Sequence, residues 1–109
     1  MERRKHRRVP ARVKGVLQSN SYEVEGRTLD LSLGGARIES ELEVYPGKQV
    51  VIRLMLPGVE KPLSIEQALV RWTSQKTFGV EFTQVKRKEL DELEQLIEEF
   101  EEYEAGGHA

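Results

Sequence analysis

The sequence predicts a mainly β domain, a sandwich or barrel, with one C-terminal α-helix and a basic arm in front. Three observations lead there. Short runs of alternating apolar and polar residues recur between turn signals through residues 10–83, the period-two pattern of strands that bury one face. The period then changes: Leu90, Leu93, Leu96, Ile97, Phe100 and Tyr103 follow helical spacing, with carboxylates at the other positions, as in an amphipathic helix. Finally, the charges are segregated. Residues 1–14 hold seven basic side chains against one acid, whereas residues 89–104 hold nine acids and no Lys or Arg. Such asymmetry points to an anionic partner for the front of the chain.

With 109 residues, the chain suits one domain with one core. The expected layout is a basic arm over residues 1–9, the β region over 10–83, a helix over 85–104 and a disordered tail at 106–109. There is no cysteine, hence no disulfide and no thiolate metal site. His6 and His108 lie near opposite termini and make no metal-ligand spacing. No apolar run is long enough for a membrane span, and the charged N-terminus has no apolar core of a secretory signal. A cytoplasmic protein without membrane insertion is expected.

The arm, Glu2 to Arg8, lacks hydrophobic periodicity and is followed by Val9-Pro10. Proline biases its neighbour toward extended conformations, so the arm should enter the fold as strand or linker. It reads as a solvated charge run, a loose nucleic-acid patch or a structured anion clamp. Arginine dominates it, and arginine's planar fork grips phosphates and guanine edges at two points. Strands follow at residues 13–18 and 22–33, then at 35–39 with Ala36 and Ile38 on one face. After the turn Tyr45-Pro46-Gly47, residues 48–56 alternate Val50, Ile52, Leu54 and Leu56 against Val51, Arg53 and Met55. A strand over 63–72 places Ala68, Val70 and Trp72 on one face, and 78–83 alternates Phe78, Val80 and Phe82 with Gly79 and Glu81. The helix over 85–103 is expected to cover an open end or face of the β structure, with Gly106-Gly107 as its stop. A dimer seam is a second use of the same stripe, although the periodic stretch is shorter than the three to four heptads a coiled coil asks for.

The stretch with the most chemistry is Asp30-Leu31-Ser32-Leu33-Gly34-Gly35. In an extended strand Leu29, Leu31 and Leu33 would enter the core, and Asp30 and Ser32 would stand side by side outside. The glycine pair can take positive φ and has no Cβ, so another group can approach the backbone closely. The stretch is either a place to read the edge of a small polar ligand or a strand end running into a turn.

Arg4-Lys5-His6-Arg7-Arg8 fits R-x-x-x-R and is followed by Val-Pro, and about twenty residues on, residues 30–35 fit D-x-S-x-x-G. Together the two motifs resemble the PilZ domain family. The likeness extends through Ala68-Leu69-Val70-Arg71-Trp72 and Gly79-Val80-Glu81-Phe82 to the helix. It implies a six-stranded antiparallel β-barrel and a non-catalytic receptor for the bacterial second messenger cyclic di-GMP. Carried over by motif position, the ligand residues are Arg4 and Arg8 with Asp30, Ser32 and Gly35, and Gly34 adjoins them. Arg3 and Lys5 lie where PilZ domains often add basic contacts. Trp72 falls near a position where some members carry an aromatic beside the ligand, whereas its place on the Ala68-Val70 face and the large area an indole buries read as core. Arg12 and Arg37 read as solvated surface residues, and Arg37 reaches the ligand only if its short strand borders the site.

The chemistry agrees with the resemblance. Guanine offers O6 and N7, the edge arginine reads with two donors, and its N1–H and amine suit an ionised Asp30. Ser32 can donate or accept. Ligand binding would order the arm and alter contact with an unidentified downstream protein, with the output lying in another molecule. Two alternatives stand beside this: a PilZ-like interaction domain without nucleotide binding, and a nucleic-acid binder acting through the arm. Against the latter, the body is acidic and no row of exposed aromatics suggests base stacking. No cofactor and no metal is expected. No cysteine nucleophile, histidine pair or phosphate loop suggests an enzyme. The basic residues of the arm leave room for either one cyclic di-GMP or an intercalated pair.

Overall fold

The computed structural model describes residues 8–56 and 58–107, without the side chains of 102–107. In chain order the elements are β1 (Val9–Pro10), β2 (Lys14–Ser19), β3 (Tyr22–Leu31), β4 (Gly35–Ser40), β5 (Gln49–Leu54), β6 (Leu63–Ser74), β7 (Thr77–Gln84) and α1 (Arg87–Gly107). All strand pairings are antiparallel, and the sheet order is β1-β3-β2-β5-β6-β7-β4. Pairing of β3 with β4 returns the sheet to its start. Strands β2 to β7 therefore form a closed six-stranded barrel, which leaves no open edge among them.

The expected strands are present with shifted ends. The arm enters as the two-residue strand β1, which pairs with the end of β3 through Val9↔Leu31 and Pro10↔Asp30. Between β1 and β2 the chain steps off the ladder, and the buried Thr28 bridges the gap. Its hydroxyl donates to the Ala11 carbonyl at 2.5 Å and accepts the Val13 N–H at 3.0 Å. Buried polar backbone is thereby satisfied where the sheet is interrupted.

Alternation places the core as expected over most of the barrel. Leu17, Ile38, Ile52, Leu54, Leu63, Ile65 and Phe78 are fully buried, each worth roughly 1.5–3 kcal/mol relative to an exposed side chain. The helix lays Leu93, Leu96 and Ile97 on this core, with Phe100 half-buried, and packs against β6 and β1. Its apolar stripe is used within the chain, as the covering role requires. The side chain of Tyr103 lies outside those described.

Register shifts interrupt the alternation at several points, and two of them, on β3 and near the end of β6, correct the sequence reading. On β3 the register passes from Thr28↔Ile38 to Asp30↔Arg37, so Leu29 is an extra residue. Leu31 is fully buried while Leu29 and Leu33 are only half-buried. On β6 the register passes from Val70↔Val80 to Trp72↔Gly79, so Arg71 is extra. Ala68 and Val70 point inward, but Trp72 is turned out and is 42% exposed. A bulge re-aims the side chains beyond it. Here both bulges aim residues onto the same outer surface.

Candidate functional site

Strand register places one row of residues side by side across the barrel's outer face. Pro10 of β1 pairs with Asp30 of β3, Asp30 with Arg37 of β4, Arg37 with Gly79 of β7, and Gly79 with Trp72 of β6. The row borders a groove of about 700 Å³, whose rim also holds Arg8, Arg71 and Glu81. That volume is in the range of small-molecule sites.

Asp30 is the electrostatic centre. Its side chain is only 14% exposed, and its Oδ1 accepts Arg8 Nη1 at 2.5 Å and the Arg37 backbone N–H at 3.2 Å. The Arg37 Nε lies 3.2 Å from Oδ2. One largely sheltered carboxylate thus aligns two guanidinium groups that are each about half exposed. Hydrogen bonds to ionised groups are the stronger class, about 1.5–3 kcal/mol each. The arrangement holds two cationic forks at the groove without neutralising both.

Ser32 is placed differently from the sequence expectation. It does not stand outside beside Asp30; it is buried. Its hydroxyl accepts the N–H groups of Gly34 at 3.2 Å and Gly35 at 3.0 Å and donates to the Gly35 carbonyl at 3.3 Å. Strand β3 has ended at Leu31, and the hydroxyl closes a tight turn into β4. Neither Gly34 nor Gly35 has positive φ. Glycine is required at position 35 for close approach: a Cβ there would lie 2.3 Å from the Val80 carbonyl oxygen. Both glycines line the groove.

The opposite wall carries Trp72 and the pair Arg71–Glu81, whose closest atoms are 3.6 Å apart. Of the residues expected at a ligand site, Arg8, Asp30, Gly34, Gly35, Arg37 and Trp72 meet at this groove. Arg37 borders it because β4 pairs beside Asp30. Ser32 sits behind the surface as the builder of the turn. Arg3, Arg4 and Lys5 lie outside the described residues. Sequence reading missed Arg71, Gly79 and Glu81. The signal for Gly79 was a glycine inside a strand, which marks a close approach; Arg71 and Glu81 carried none. Among the described residues no group of three or more His, Cys, Asp or Glu side chains is placed to hold a metal. No helix there is long and apolar enough to cross a membrane.

Comparison with known proteins agrees with this geometry. The PilZ domain family model matches residues 2–99, and the chain belongs to that family of cyclic di-GMP receptors. Its members are generally non-catalytic and interact with protein effectors. Among solved structures, the Bacillus subtilis inhibitor of motility MotI/DgrA is similar with a TM-score of 0.70 and 22% identity, over 89% of this chain and 50% of that one. The present chain thus spans about half the length of that structure. The PilZ domain of CeSA from a cellulose-synthesizing bacterium is similar with a TM-score of 0.69 and 23% identity, over 87% of this chain and 98% of that one. At these identities the likeness concerns the fold. No curated protein sequence gives a significant match.

Proposed function

We propose that this chain is a non-catalytic receptor domain that takes cyclic di-GMP in the groove between Asp30 and Trp72. The observation that carries the reading is the contact of Arg8 with Asp30 at 2.5 Å. The last arginine of R-x-x-x-R and the acid of D-x-S-x-x-G, 22 residues apart in sequence, converge at the mouth of one groove. In the proposed complex Arg8 and Arg37 contact phosphate oxygens or a guanine O6/N7 edge. Asp30 accepts guanine N1–H or amine through Oδ2, and the backbone of Gly34 and Gly35 lets the ligand approach closely. Ser32 acts by holding that turn. Trp72 offers a stacking surface to a base. Arg3, Arg4 and Lys5 supply further cationic contacts from the arm. Ordering of the arm over the ligand changes the surface presented to a downstream protein, at a cost in conformational entropy that the charge-assisted contacts exceed.

Calorimetric titration with cyclic di-GMP tests this, with GTP and linear pGpG as controls and two salt concentrations. Saturable binding selective for the cyclic dinucleotide is expected, and its stoichiometry separates one bound ligand from two. Absence of heat and of thermal shift at high ligand concentration would sink the receptor reading and leave a protein-interaction domain. A loss of signal that tracks salt for any nucleotide would favour a non-specific phosphate binder instead.

A further inference from the structure

Gly35 and Gly79 both border the groove, and they lack a Cβ for different reasons. At Gly35 the missing atom would meet backbone, the Val80 carbonyl oxygen at 2.3 Å. Any side chain there forces β4 and β7 apart. At Gly79 the three nearest atoms to a Cβ all belong to the indole of Trp72: Nε1 at 2.1 Å, Cε2 at 2.5 Å and Cδ1 at 2.9 Å. The five-membered ring of Trp72 occupies the space that a side chain at 79 would fill. The indole therefore lies down across the sheet on bare backbone, beside Arg37 in the same row, while 42% of Trp72 stays open. An exposed indole is free to swing away when its seat is filled, so the barrel itself does not need glycine at 79. The position of the ring does.

We propose that Gly79 is a positioning residue: it seats the Trp72 indole against the sheet and so holds ready the surface on which a purine base of the ligand stacks. The inference rests on the cyclic di-GMP reading above and adds to it a residue that touches no ligand. A ring held in place before binding loses less conformational freedom on binding, which favours affinity. Filling the seat with a methyl group leaves the aromatic in the chain but removes its placement.

Trp72 is the only tryptophan in the chain, so intrinsic fluorescence reports on this ring alone. The experiment compares the parent, Gly79→Ala, Trp72→Ala and the double variant, by cyclic di-GMP titration and by emission spectra with and without ligand. Gly79→Ala is expected to shift the free-state emission to the red, to shrink the ligand-induced change, and to weaken binding by roughly tenfold, the scale of one lost base–aromatic stack. In the Trp72→Ala background the same substitution should change affinity less than about twofold, within the additivity error of independent sites. Equal losses in both backgrounds, or parent-like affinity and emission for Gly79→Ala, would overturn the positioning role while leaving the receptor reading intact. A parent protein that does not bind cyclic di-GMP would overturn both. Should Gly79→Ala fail to fold, Trp72→Phe with and without Gly79→Ala decides, because phenylalanine lacks the five-membered ring. Affinities within about threefold of each other are expected there, and a tenfold gap refutes the seat.

Discussion

Two grooves among the described residues are of comparable size and charge, about 700 Å³ beside Asp30 and about 890 Å³ beside Gly26. The first sets Arg8, Arg37 and Arg71 against Asp30 and Glu81. The second sets Arg12, Lys14, Arg27 and Lys76 against Glu25, Glu39 and Glu41. Cations exceed carboxylates by one in each, so net charge does not distinguish them. The difference is in how the charges are held and what lies beneath. In the second groove Arg27 faces Glu39 at 3.5 Å and Lys76 faces Glu41 at 2.8 Å. These are exposed one-to-one pairs, which contribute little and are screened by salt. In the first, a single largely sheltered carboxylate aligns two arginines, and bare backbone and an indole line the same row. What sets the proposed site apart is a shared, mostly buried charge next to an aromatic, not a count of basic residues.

Substitutions can break or sharpen that contrast. The largest effect is expected from Arg8→Ala and Asp30→Ala, each weakening cyclic di-GMP binding by about 1.5–3 kcal/mol, the scale of a lost charged hydrogen bond. Melting temperatures should show that the barrel survives, because Arg8 and Asp30 meet outside the hydrophobic core. An equal loss from Arg27→Ala in the other groove would erase the distinction. Trp72→Ala should follow, at about 1–3 kcal/mol in affinity, measured by calorimetry. Arg37→Ala should cost about 1 kcal/mol, since its ion pair with Asp30 is exposed on one side, and the loss should shrink at high salt.

Arg27→Ala itself should move affinity by less than about 0.5 kcal/mol, the range of surface substitutions away from special features. The smallest effect concerns Lys76. The hydrogen bond it donates to Glu41, and then the charge of that carboxylate, raise its pKa above the ordinary 10.5. Because the folded value is raised, the pair's contribution is complete below that ordinary value and is lost as pH climbs through the raised one. Glu41→Gln should return the Lys76 titration, followed by NMR, toward its ordinary value and leave ligand affinity unchanged at neutral pH. A change in affinity would mean that the second groove takes part after all.

How far the site could be read from sequence depends on the kind of information involved. Asp30 and Arg8 were legible as motif residues, and Gly35 as a point of close approach, because those requirements are local. Trp72 was not legible as a surface residue. Period-two alternation carries it inward with Ala68 and Val70, and nothing in the residues around Arg71 marks the bulge that turns it out. Ser32 was misplaced for a related reason: β3 stops at Leu31, so alternation no longer applies one residue later. Arg37 depends on a neighbour no local pattern names: pairing of β4 beside β3 is what brings it to Asp30.

By itself the sequence determined the strand and helix periods, most residues of the core, the separation of basic and acidic ends and the two motifs. Those follow from side-chain hydrophobicity and backbone preference over a few residues. Only the tertiary structure decided that Asp30, Arg37, Gly79 and Trp72 form one row, and that the arm's root is tied into it through Arg8. Register between strands distant in the chain sets that row. The two bulges that adjust it arise from closing a twisted sheet into a barrel, a constraint on the whole ring of strands that no single segment expresses.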